Sequence, residues 1–105
     1  MTKVYIDCKT LYAEVKGHAG AGKAGNDVVC AGVTTLCRCL EEALKADGSF
    51  RANIHWDKER TLFRADCWPK KWTDVRRAQQ SFITIAAGFK LLAKVYPEYV
   101  VYEEE

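Results

Sequence analysis

His18 and Cys30 stand near the two ends of a Gly- and Ala-rich stretch, Gly17-His18-Ala19-Gly20-Ala21-Gly22-Lys23-Ala24-Gly25-Asn26-Asp27-Val28-Val29-Cys30-Ala31. A cysteine attacks as its thiolate, and an imidazole brought beside it can take its proton and later return one to a leaving group. The chemistry such a pair allows is attack on a peptide carbonyl through a thioester. Asp27 is a preferred N-cap, so Cys30 is expected in the first helical turn, among amides without intrahelical acceptors and at the positive end of the helix dipole. A helix N-terminus favours thiolate over thiol. The amides at the helix start, at Cys30 and Ala31, are candidates to hold the oxyanion that the attack creates.

Asp27 admits two roles. As a cap it accepts from the amide near Cys30, which stabilises the helix by about 1 kcal/mol; as a third catalytic member it would orient the His18 imidazole. Its position explains the cap without the second role, and the two are compatible. Gly17, Ala19, Gly20, Gly22 and Gly25 are expected to form a loop facing the substrate near the surface, with Gly22 and Gly25 as its hinges. Neither GxxxxGK[ST] nor a GxGxxG followed by an acidic strand end is present, which argues against a phosphate cradle.

The elements that must position this pair follow from periodicity. Residues 4–8 and 11–16 alternate apolar and polar and predict two strands joined at Lys9-Thr10. A helix is expected over 28–46, ending near Asp47-Gly48, with Val29, Val33, Leu36, Leu40 and Ala43 inward and Arg38, Glu41, Glu42 and Lys45 outward. Phe50, Ala52, Ile54 and Trp56 mark the buried face of a third strand, Lys58-Glu59 a turn, and 61–67 its partner, closed by Pro69. Val75, Ala78, Phe82, Ile85, Phe89, Leu92 and Tyr96 recur at helical spacing until Pro97 stops them, and 99–102 is a last strand. The expectation is one α+β domain over residues 1–105, in the order β-β-α-β-β-α-β, with a largely antiparallel sheet and two long amphipathic helices. Whether the helices share one face of the sheet is open at this stage.

Composition narrows the alternatives. The 105 residues carry a net charge of +2, too little to argue for direct nucleic-acid binding. No apolar run approaches the roughly 20 residues of a membrane span, and the start lacks the layout of a secretion signal. Five cysteines without a CxxC pair suit reduced thiols in the cytoplasm. A shared metal is disfavoured, because Cys30 and Cys37 would stand about 10 Å apart along a helix and Cys39 would point away. No cofactor is expected. The rival to catalysis is a non-catalytic binding module using Lys70, Lys71, Trp72, Arg76 and Arg77, with Trp56 and Trp68 as stacking surfaces. His55, alternating with Ile54 and Trp56, reads as an outward strand residue.

The pattern Gly17-His18-Ala19, a Gly-containing spacer, Asp27-Val28-Val29-Cys30-Ala31 and its continuation through Val33 and Thr34 closely resembles the ribosomal-processing cysteine protease (Prp) family. The likeness extends over the chain to Tyr96-Pro97-Glu98-Tyr99-Val100. The resemblance implies a homodimeric bacterial endopeptidase that removes an N-terminal extension from the large-subunit ribosomal protein numbered twenty-seven, a step needed for ribosome assembly. It also implies His18 as general base and Cys30 as nucleophile, with no metal. Gly32 stands where the family often has Ala and Thr34 where it often has Ser, and the first hairpin looks shortened; these departures bear on substrate detail.

Overall fold

Alternation in the first sixteen residues folds as a hairpin of β1 (Thr2–Asp7) and β2 (Tyr12–Lys16), in register Val4 to Val15 and Ile6 to Ala13, so that all four side chains enter the core from one face. The structure, a computed structural model, describes residues 1–17 and 27–103. The turn is longer than expected. Residue 11, expected in the second strand, instead adopts φ +60 at the end of the turn while its side chain stays buried. Asp7 organises the turn: its Oδ1 accepts from the amides of Lys9 and Thr10 at 2.9 and 3.1 Å.

The second hairpin, β3 (Phe50–Asp57) and β4 (Leu62–Pro69), repeats the device. Asp57 Oδ1 accepts from the Arg60 amide at 3.1 Å, and Thr61, with φ +48, closes the turn where the sequence suggested Lys58-Glu59 and a strand from 61. β5 (Val100–Glu103) runs parallel to β1 and gives a sheet of order β3-β4-β2-β1-β5. The other pairings are antiparallel.

Helix α1 (Val28–Ala46) starts at Asp27 and keeps the expected bounds. Helix α2 (Val75–Val95) follows a 3₁₀ turn (Trp72–Asp74) and ends at Tyr96, before Pro97. Both lie on one face of the sheet and approach closely at their glycines: a Cβ on Gly88 would press on the Leu36 side chain, and one on Gly32 would touch Leu92. Phe82 and Phe89 of α2 are fully buried with Leu40, Leu44 and Val29 of α1. Burial of each such side chain contributes about 1.5–3 kcal/mol. Among the described residues no helix is long and apolar enough to cross a membrane.

Two inward assignments change. Ala43 is exposed and Leu44 takes its place in the core, and Ala52 is exposed because β3 is an edge strand that α1 covers only in part. The larger correction is Glu41, expected on the outer face but only 7% exposed. It lies one turn beyond Cys37 on the buried stripe, and a carboxylate there requires partners.

Candidate active site

Asp27 has extended backbone angles (φ −81, ψ 97), and its Oδ1 accepts from the Cys30 amide at 2.9 Å, an N-cap bond that fixes the first turn of α1. The two amides considered as oxyanion donors are both engaged. That of Cys30 donates to the Asp27 side chain, and that of Ala31 donates to the Asp27 carbonyl at 3.1 Å. A Cys30 amide that turns to a substrate oxygen must release Asp27 Oδ1. His18, Ala19, Gly20, Gly22 and Gly25 lie outside the described residues.

Gly17 is described and is held by two hydrogen bonds in a left-handed backbone conformation. Its amide donates to the Thr61 carbonyl at 2.9 Å, its carbonyl accepts from Thr2 Oγ1 at 3.2 Å, and its φ is +92. Thr2 is itself buried, with its amide donating to Tyr99 at 2.8 Å. The segment leading into His18 is therefore tied to the second hairpin and to β1.

Half-buried Cys30 opens onto a cleft of about 320 Å³ between α1, the end of β2 and the second hairpin. Val33, Thr34 and Cys37 continue the α1 wall, Val15 and Gly17 form the β2 side, and Trp56, Leu62 and Phe63 form the far wall, with Lys58 and Thr61 at the hairpin. The lining is mainly apolar, as a site for an apolar side chain requires. Of the two thiols in the cleft, Cys37 is buried, and burial pushes it up to about 12, so it remains a neutral thiol. Burial likewise raises Cys67 to about 11, while Cys39 is exposed on another side of α1.

The far wall was not foreseen. Trp56 Nε1 donates to Glu41 Oε1 at 3.0 Å, Arg38 Nη1 donates to the same oxygen at 3.1 Å, and Lys45 Nζ donates to Oε2 at 2.7 Å. The Lys45 bond is the chief reason the Glu41 carboxyl is held below the usual carboxylate range; the bonds from Trp56 and Arg38 add to it, and burial opposes them. A carboxyl lowered in the folded state stabilises the fold fully above its unfolded value of about 4.3, and that contribution is lost as pH falls through the folded value. The urea midpoint should therefore fall less between pH 7 and pH 3 in Glu41→Gln than in the parent. An equal fall in both would mean that Glu41 titrates as it does in the unfolded chain.

The other candidates are dispersed. His55 is exposed on the open face of the sheet, opposite Arg64. Lys70, Lys71, Trp68 and Arg76 are exposed, and Trp72 is 85% exposed, whereas Arg77 is held by Asp47 and Asp74 at 2.9 and 3.0 Å. These residues lie apart from the cleft, whose only tryptophan among the described residues is Trp56.

The sequence profile of the family described as Cysteine protease Prp matches residues 1–101. No curated protein sequence matches the chain. Among solved structures, an essential ribosomal processing protease Prp from S. aureus, in complex with a covalently linked product peptide, superposes with a TM-score of 0.81 at 21% identity, covering 99% of this chain and 97% of that one. The same S. aureus protein in complex with a substrate peptide gives a TM-score of 0.76 at 21% identity, with the same coverage. SMU.848 from Streptococcus mutans gives 0.78 at 26% identity, covering 99% and 93%.

Proposed function

Because the chain belongs to the Cysteine protease Prp family, we propose that it is an endopeptidase with a His18/Cys30 dyad that trims the N-terminal extension of a ribosomal protein. The observation that carries this reading is the position of Cys30: in the first turn of α1, lining an apolar cleft of about 320 Å³ that has room for a substrate side chain. The S. aureus relatives, bound to substrate and product peptides, support a peptide as the ligand.

The steps follow from the chemistry. The Cys30 thiolate adds to the scissile carbonyl, forming the S–C bond, and first-turn amides stabilise the oxyanion, that of Cys30 by exchanging Asp27 Oδ1 for the substrate oxygen. As the C–N bond breaks, His18 gives its proton to the leaving amine and a thioester remains. Water, deprotonated by His18, then adds to the thioester; the C–S bond breaks, the acid product leaves, and the Cys30 thiolate and protonated His18 are restored. Asp27 holds the helix start as its cap, a role compatible with orienting His18. Gly17, Ala19, Gly20, Gly22 and Gly25 contribute to substrate binding in this reading. The enzyme works as a homodimer in the bacterial cytoplasm on the precursor of large-subunit protein twenty-seven, without cofactor.

The test is incubation of the purified chain with that precursor, followed by intact-mass measurement. Two products summing to the precursor plus one water, from a single cut near its start, are expected. An intact precursor under conditions where Cys30 alkylates readily would reject the substrate; an intact precursor and an unreactive Cys30 would reject the protease.

A further inference from the structure

The helix that carries the nucleophile also carries a device acting on the opposite wall of the cleft. Cys30, Cys37 and Glu41 follow one another on the same stripe of α1, with Glu41 about 16 Å beyond Cys30 along the axis. Glu41 is 7% exposed, and both carboxylate oxygens are satisfied by donors from Trp56, Arg38 and Lys45. Trp56 is further restrained by its neighbours. The Arg38 guanidinium carbon lies 4.2 Å from the ring centroid, and Phe63 meets the indole at 4.7 Å with a 56° tilt. An indole at the end of an edge strand, half-buried and without these contacts, would sample several rotamers.

We propose that Glu41 is a positioning residue for substrate selection: it locks the Trp56 indole as the far wall of the Cys30 cleft, so that the cleft accepts one large apolar side chain of the substrate in a fixed pose. The physical case rests on what the carboxylate does that an apolar residue would not. A leucine at position 41 would pack α1 against β3 without desolvating a charge, so packing alone does not call for an acid. What the acid adds is a directional bond to Nε1 and a seat for Arg38 over the indole face. Trp56 and Phe63 both line the cleft, so the restraint is transmitted directly to its wall.

The inference rests on the cleft receiving a substrate side chain, as in the proposed function, and its test does not need proteolysis. The probes are iodoacetamide and N-benzyl iodoacetamide, and the readout is the ratio of their alkylation rates at Cys30, resolved by peptide mapping from the other thiols. Glu41→Leu should lower the benzyl-to-unsubstituted ratio about tenfold, with the iodoacetamide rate itself unchanged. Glu41→Gln, whose amide oxygen still accepts from Nε1, should stay within about threefold of the parent. The same split is expected in peptide cleavage, as a higher KM for substrates with a bulky side chain at this site and an unaltered kcat. A folded Glu41→Leu that keeps the parental ratio overturns the inference. Should that variant fail to fold, Trp56→Phe, which keeps a ring but removes the Nε1 donor, must show the same fall, and a parental ratio there is equally decisive. A protein that cleaves no peptide yet shows the shift retains this positioning role and loses the protease reading; one that cleaves with an unshifted ratio does the reverse.

Discussion

Cys30→Ala should reduce peptide cleavage by at least about 10⁴-fold while leaving the fold and its urea midpoint close to the parent. The expectation combines the chemical role with a modest structural one. Cys30 is half-buried at the mouth of the cleft, so removing its sulfur leaves no sealed cavity, and its amide bond to Asp27 does not involve the side chain. His18→Ala should fall by a similar factor, because His18 takes the proton of the Cys30 thiol before attack and gives one to the departing amine. Cys39→Ala is the control: it is on the same helix but exposed outside the cleft, and should change neither rate nor stability. Steady-state kinetics on a peptide spanning the cut, with circular dichroism alongside, measure all three. Residual activity above about 1% in Cys30→Ala would remove the thiolate from the mechanism.

The parts of this molecule that were legible in the sequence are those written in one local stretch. Asp27 announces α1, and the regular spacing from Val75 to Tyr96 followed by Pro97 announces α2, because capping and periodicity act within a few residues. The turns are legible in place but not in length, although a signal for their length existed. Asp7 and Asp57 each open a turn through side-chain bonds to following amides, and each turn closes four residues later in the left-handed region, at Leu11 and Thr61. Neither closing residue is a usual left-handed residue, so their types hid the geometry. Glu41 was hidden for another reason. A glutamate on a helix reads as a solvated residue until a distant indole, fifteen positions on, supplies the donor that lets it be buried. The parallel pairing of β5 with β1 and the shared face of the two helices are likewise long-range outcomes.

Gly17→Ala should be the most damaging change outside the dyad, because it combines three effects at the residue preceding His18. At φ +92 any L-residue is strained, at a cost of about 1–3 kcal/mol. The methyl group would also run into the carbonyl oxygen of Met1, and backbone cannot swing aside as a side-chain tip can. Relief therefore has to come from moving residue 17, which strains its bonds to the Thr61 carbonyl and to Thr2 Oγ1. The next residue is the proposed base, and a displacement of about 1 Å there can cost about 100-fold in rate. The expected result is a lower urea midpoint together with a fall in kcat of about 100-fold or more. Thr2→Val, which removes only the bond to the Gly17 carbonyl, should act in the same direction and less strongly. Iodoacetamide separates the two sites: in a folded Gly17→Ala, Cys30 remains at the mouth of the cleft and is still modified, so the loss lies in the proton transfers and not in access to the thiol. Parental kcat in Gly17→Ala would mean that the position of His18 is set by something other than the tether at Gly17.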